Sequence, residues 1–300
     1  MTTNHIIIAY SDKTTAGGGA GKLVVGVLGE DNRSFTYNSA ITFDANPVSN
    51  CKLKRISSSL FALCYIDNNG NGQIKIGNLS GETITLGSAN AFSSSGSVSE
   101  ISVDIFNTSN GHESVVIFYT SSNIGYVTVA SIDTSSSNAV TFNTAQALSS
   151  LVRPTSIKII RYNSNDRITL VFIDTLNNDR GVIIPGAWNL GTSQFTFGEY
   201  YEVAQNLNTI TILKGGYWNG VMVYSDDTNT KYLIFYISMD DGIHMNFKKP
   251  LTAHSDKYIS GDICHIDPYE IAIFTGVNTT ANNGKTVKIQ GATIGGGGGD

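Results

Sequence analysis

The apolar positions of this chain fall into short runs that recur at a nearly constant interval, separated by stretches rich in Gly, Ser, Thr and Asn. Six of these runs are apolar at almost every position and carry an aromatic near their end: HIIIAYSD, LFALCYID, SVVIFYTS, ITLVFIDT, GVMVYSDD and EIAIFTGV. The aromatic positions, Tyr10, Tyr65, Tyr119, Phe172, Tyr224 and Phe274, stand 55, 54, 53, 52 and 50 residues apart. Short apolar runs bounded by turn residues predict strands, and no stretch sustains a 3.6-residue period, so helix is expected to be minimal. A strand with one wet face would alternate apolar and polar residues. These do not, so each is expected to be buried on both faces, between neighbouring sheets.

Each run is followed by a second strand: GKLVVGVLG, GQIKIGNLS, GYVTVASID, GVIIPGAWN, YLIFYISMD and KTVKIQGAT. Five units add a third, from SFTYNSAITF to HMNFKKPLTA, and five are preceded by one, from CKLKRIS to YISGDIC. The full unit therefore has strands A, B, C and D, with B carrying the aromatic. Connections within a unit are short and rich in Gly, Asn and Ser, as hairpins require, while the D-to-A connections are longer. This pattern predicts an all-β fold, a β-propeller of six blades, each a four-stranded antiparallel sheet. The chain enters at strand B of unit 1 and leaves after strand C of unit 6, so the first and last blades are expected to be incomplete. One domain is expected over residues 1–294, with repeats near 4–50, 51–97, 98–152, 153–206, 207–256 and 257–294, and a Gly-rich tail over 295–300.

Composition narrows the partners. Charged residues make up 14% of the 300 and the formal net charge is -5. The longest basic clusters are Lys52/Lys54/Arg55 and Lys248/Lys249, which argues against nucleic acid. No apolar stretch is long enough to span a membrane as a helix, and MTTNHIIIAY lacks the basic start of a signal peptide. Three cysteines, Cys51, Cys64 and Cys264, are too few for a disulfide framework. Cys51 and Cys64 could face each other across a hairpin, though buried free thiols are the better expectation. An extracellular-type surface without a secretion signal fits a virus particle, assembled in the host cytoplasm and working outside it.

The glycine run AYSDKTTAGGGAGKL resembles a phosphate loop only superficially. Gly21-Lys22 is followed by Leu23 instead of Ser or Thr, and KLVVGVLG reads as a strand. The segment DNNGNG fits the first half of a calcium loop, with oxygen ligands at Asp67, Asn69 and Asn71, and makes calcium the one cofactor candidate. Asp12, Asp67, Asp174 and Asp226 occupy the same place at the B–C end of four units. They could present carboxylates to a cation or to sugar hydroxyls from one rim; the competing expectation is that each caps its own turn. Trp188 lies in the C–D turn of unit 4, and Tyr217-Trp218 in the A–B turn of unit 5, at the opposite rim. Aromatic faces there would suit a sugar ring or a protein partner, unless the indoles fold back over the blade edges. No histidine spacing fits zinc, and Cys264-His265 point to opposite faces of a strand, so no catalytic residue is assigned.

The unit clearest in residues 65–92, with the pattern Y-x-D…G-x-[VI]-x-G-x-L-S-G…G-S-A-x-x-F, resembles repeats of β-propeller-like proteins of tailed phages and other large DNA viruses. The resemblance covers units 1 to 3 best, through FTYNSAITF, ITLGSANAF and VTFNTAQAL. It implies a non-enzymatic virion structural protein in a tail, fibre or capsid decoration, a homo-oligomer within an assembly of other virion proteins. Its rim would attach to a host surface glycan or receptor. The alternatives are a cell-surface lectin and a propeller-fold enzyme acting on glycosides.

Overall fold

The computed structural model describes residues 5–13, 19–31, 33–107, 113–134, 138–162, 166–214, 219–226, 230–237, 243–254, 261–267, 270–275 and 285–290. Among the described residues every regular element is a strand. Blade 1 consists of β1 (His5–Asp12), β2 (Ala20–Leu28), β3 (Phe35–Tyr37) and β4 (Ile41–Pro47). Blade 2 follows with β5 (Ser49–Arg55), β6 (Leu60–Ile66), β7 (Gly72–Ser80), β8 (Thr83–Leu86) and β9 (Asn90–Ser93). Blade 3 has β10 (Val98–Asn107), β11 (Glu113–Ser121), β12 (Ile124–Asp133), β13 (Ala139–Phe142) and β14 (Gln146–Ala147). Blade 4 has β15 (Pro154–Arg161), β16 (Arg167–Asp174), β17 (Arg180–Asn189), β18 (Gln194–Phe197) and β19 (Tyr201–Ala204). Blade 5 has β20 (Thr209–Lys214), β21 (Asn219–Ser225), β22 (Thr230–Ile237), β23 (Met245–Phe247) and β24 (Leu251–His254). Blade 6 has β25 (Gly261–Asp267), β26 (Glu270–Thr275) and β27 (Lys285–Gln290).

The fold is a β-propeller of six antiparallel sheets, each ordered A-B-C-D where complete. Blade 1 lacks strand A and blade 6 lacks strand D among the described residues, as expected. One feature differs from the sequence expectation. Each D strand is two short segments, both paired to strand C: β8 along Gly77–Ser80 and β9 along Gly72–Ile74, for example. Between them the chain leaves the ladder, and Gly87 N–H returns to the carbonyl of Ile76 at 2.9 Å.

By contacts the chain forms two compact units, residues 1–122 with 126–145, and residues 123–125 with 146–300. In the first unit, β6 shows why strand B is apolar throughout. Phe61, Leu63 and Tyr65 pack with Leu23 and Phe43 of blade 1, while Ala62, Cys64 and Ile66 pack with Ile101, Val103, Val115 and Ile117 of blade 3. Both faces of β6 are core, which favours an apolar side chain at every position. In the second unit, Val171 and Ile173 of β16 meet Ile210, Met222 and Tyr224 of blade 5 in the same way. Each fully buried side chain of this kind contributes on the order of 1.5–3 kcal/mol. The glycine that opens strand C has a packing cause. A Cβ on Gly72 would collide with the Phe92 ring, and one on Gly21 with the Phe43 ring, so the recurring Gly and D-strand Phe form one contact.

Candidate functional site

The B–C ends of the blades hold the repeated aspartates. Asp67 ends the B-strand run of blade 2 and closes its own turn. Its Oδ1 accepts N–H bonds from Asn69 and Asn71, both 2.9 Å, and its Oδ2 accepts from Asn71 Nδ2 at 3.1 Å and Gln73 Nε2 at 2.9 Å. Burial pushes this carboxyl up, but the donors of Asn71, Gln73 and Asn69 outweigh it and hold the pKa below the ordinary carboxylate value. Four N–H donors aimed at one carboxylate make a turn cap, which opposes the calcium expectation for Asp67, Asn69 and Asn71. No group of three or more His, Cys, Asp or Glu side chains able to hold a metal ion occurs among the described residues.

Asp174 does the same work from full burial. Its Oδ1 accepts the backbone N–H of Arg153 at 2.9 Å and of Leu176 at 3.2 Å; its Oδ2 accepts Asn177 Nδ2 at 2.6 Å and Arg180 Nε at 3.1 Å. Arg180 also reaches Glu202 at 3.5 Å. Asp226 is bound by Lys231 at 2.6 Å. Asp12 ends β1 opposite Ala20. The carboxylates of Asp67, Asp174 and Asp226 are thus answered by a donor at the start of strand C: Gln73, Arg180 and Lys231. Sequence reasoning found the acids and missed these partners, although each sits five or six residues further along the chain. Blade 3 has Ser121 where blades 1, 2, 4 and 5 have Asp, and there hydroxyls replace the carboxylate. Ser121 Oγ lies 2.7 Å from Ser95 Oγ and 2.8 Å from Ser97 Oγ.

At the other end of the blades, Trp188 is placed differently from its expected turn position. It lies on β17 opposite Phe195 of β18, only 9% exposed, with its ring edge-on to Phe195 at 4.8 Å between centroids. The indole therefore folds over the blade, and an open aromatic face at Trp188 is corrected. Tyr217 and Trp218, its expected companions, lie outside the described residues. What Trp188 does form is one wall of an open groove of about 410 Å³ lined by Ala187, Trp188, Asn189, Leu190, Thr196 and Ile243. Leu190 is 54% exposed at its lip. Asn189 Oδ1 accepts from the N–H groups of Gly191 at 2.9 Å and Thr192 at 3.3 Å, which fixes the turn. Gly198 sets the far wall: a Cβ there would collide with the carbonyl oxygen of Ile243, so glycine permits the approach of that segment. The lining exposes somewhat more polar than apolar surface, offers an amide and a hydroxyl, and contains no ionisable side chain.

Cys51 and Cys64 are free thiols, Cys64 buried and Cys51 partly so. Burial raises the pKa of both, which leaves them protonated and unreactive at neutral pH.

No protein-family model matches the chain, and no curated protein sequence matches it. Solved structures do share its fold. A candidate 6-phosphogluconolactonase from Bacteroides fragilis is similar over 96% of this chain and 81% of its own, at 10% identity and a TM-score of 0.62. Sqt1 of Chaetomium thermophilum, bound to the N-terminus of ribosomal protein L10, is similar over 95% of this chain and 71% of its own, at 11% identity and 0.55. The BP39L lectin of Burkholderia pseudomallei is similar over 96% of this chain and 93% of its own, at 10% identity and 0.53. The likeness to a lactonase overturns the expectation that the chain is not an enzyme, since this fold is shared with proteins assigned to catalysis. At these identities the likenesses establish the propeller fold alone.

Proposed function

We propose that this propeller is an attachment module that binds a neutral glycan in the groove beside Trp188. The observation that carries this reading is the lining itself. Beside the buried Trp188, Leu190, Ile243 and Ala187 supply apolar contact for the C–H face of a sugar ring, and Asn189 and Thr196 supply polar groups for its hydroxyls. The volume is within the range of small-ligand sites. Without an ionisable side chain the groove has nothing to offset the desolvation of a charged sugar, so phosphorylated and sialylated ligands are disfavoured. A lectin of the same fold supports the class of ligand.

The test is a glycan array carrying neutral and acidic glycans, probed with the full chain and with Leu190→Asp and Thr196→Lys, two substitutions at exposed positions. Binding restricted to neutral glycans and weakened at least about tenfold, or 1.4 kcal/mol, in both variants is expected. Binding that both variants leave unchanged places the ligand elsewhere and defeats the assignment. The virion setting rests on the repeat resemblance. It is tested by asking whether the coding gene lies among viral head, tail or fibre genes.

A further inference from the structure

The groove beside Trp188 is held by two side chains that stand outside its lining. The ladder bonds between β17 and β18 fall on the odd residues of β17, as the bond from Gly198 N–H to the carbonyl of Pro185 at 2.9 Å shows. Trp188 and Phe195 face each other between those bonds, in a pair without a backbone bond of its own, where side chains come closest. The N–H of Trp188 goes to the carbonyl of Asp166 at 2.6 Å, on the side of β16. The N–H and C=O of Phe195 point away from β17, and Gln146 of β14 takes both. Its Oε1 accepts from the Phe195 N–H at 2.6 Å, and its Nε2 donates to the Phe195 carbonyl at 2.9 Å. One side-chain amide thus does for Phe195 what a neighbouring strand would do, and it fixes the ring that lies edge-on to Trp188 at 4.8 Å.

The opposite wall is held in the same way. Tyr201 opens β19 as Gln146 opens β14, one blade further on. Its hydroxyl oxygen accepts the backbone N–H of Met245 at 3.4 Å, and its ring lies 5.3 Å from that of Phe247, at the other end of β23. Met245 has the place in blade 5 that Phe195 has in blade 4, opposite Ile237 of strand C. Ile243, which lines the groove, is two residues before it, so this bond anchors the segment that carries Ile243. All of these residues belong to the second compact unit. The repeat provides the comparison. The same position is Ile41 in blade 1 and Leu251 in blade 5, without a polar side-chain atom. In blade 2 it is Asn90, whose Nδ2 turns back to the carbonyl of Ser88 at 3.1 Å. Gln146 and Tyr201 instead bond to the next blade, and each bonds to a segment that walls the one groove.

We infer that Gln146 and Tyr201 are positioning residues of the groove, Gln146 fixing the Trp188 wall through Phe195 and Tyr201 fixing the Ile243 wall through Met245. The walls are then set before a ligand enters, and binding is spared the cost of ordering them, so affinity follows the two ties. The step to affinity rests on the neutral-glycan reading of the groove; the positioning of the walls does not.

The test uses the full chain with Trp218→Phe, which leaves Trp188 as the single tryptophan. Gln146→Met keeps the length and bulk of the side chain and removes both bonds. Residue-resolved hydrogen exchange should quicken at least about tenfold at the Phe195 amide, and acrylamide should quench Trp188 more strongly. Tyr201→Phe keeps the ring, removes the acceptor, and should quicken exchange at the Met245 amide. Asn90→Ala, at the same place in blade 2, should change neither amide nor the quenching. Affinity for the neutral glycans of the array should fall at least about tenfold in Gln146→Met, less in Tyr201→Phe, and stay as it was in Asn90→Ala. Exchange and quenching indifferent to Gln146→Met overturn the inference whatever the array shows. So does exchange that quickens evenly across blade 4, which would mean lost stability without a local tie. Quickened exchange with unaltered affinity overturns the link to binding. If the parent chain binds no glycan on the array, the glycan reading fails, and exchange and quenching alone decide the positioning.

Discussion

Asp174 offers the sharpest test of the claim that the repeated aspartates hold turns together. Alanine there removes the acceptor for four donors: the backbone N–H of Arg153 and Leu176, Asn177 Nδ2 and Arg180 Nε. Removing one partner of a buried ion pair costs about 3–5 kcal/mol, and each buried amide left without an acceptor about 1–3 kcal/mol. These contributions overlap. Arg180 keeps its contact to Glu202 and has 28% of its side chain exposed, so part of its charge turns to water. The net expectation is a loss of about 3–4 kcal/mol for Asp174→Ala and about 2–3 kcal/mol for Asp174→Asn, which can still accept the two backbone bonds. Adding Arg180→Ala to Asp174→Ala should restore about 1–2 kcal/mol, because the unpaired guanidinium goes with it. Urea unfolding followed by tryptophan fluorescence reads this directly, since Trp188 is buried in the same blade. The denaturant slope should not change. A loss below about 1 kcal/mol for the alanine variant would refute the structural role and return the carboxylate to the candidates for ligand contact.

The Asp67 pKa is depressed in the folded state, so its contribution is present above the unfolded value of about 4 and disappears as pH falls through the folded value. Asp67→Asn should therefore lose less stability than the wild type on acidification below about pH 4, and equal losses in a pH series of urea unfolding would contradict this. Saturating calcium should leave the melting temperature unchanged, whereas a clear rise would show that the Asp67 loop coordinates it. Gly198→Ala drives a Cβ into the Ile243 carbonyl and should cost about 1–3 kcal/mol, with loss of glycan binding; an unaltered melting temperature would show that the wall yields freely. Iodoacetamide should modify Cys64 only after unfolding and Cys51 slowly before it, as peptide mass mapping would show; rapid native labelling of Cys64 would contradict its enclosure.

The fold was legible because strand B is core on both faces, which writes an unbroken apolar run into the sequence once per blade. The interruption of strand D was not, because its small polar residues read equally well as a wet strand face. Gly87 leaving the ladder depends on its bond to Ile76, on another strand. The aspartates were legible as a repeat, but their roles required the donors Gln73, Arg180 and Lys231, whose residue types differ from blade to blade. Trp188 was misplaced for a related reason. Its burial follows from register with Phe195 across a hairpin, and the groove it lines needs Ile243, some fifty residues away in the chain.

Blade 3 shows how to separate structure from function in such a chain. At the position of Asp67 and Asp174 it carries Ser121, and a cluster of serine hydroxyls closes the same end of the blade. A position that accepts a carboxylate in one blade and a hydroxyl in the next is selected for closing a turn, since a ligand would demand one chemistry. What repeats is therefore what each blade needs to fold. Features that do not repeat have no such explanation: Trp188 and Leu190 occur in one blade, where they line the groove. That departure from the repeat, the groove beside Trp188, is where a partner is to be sought.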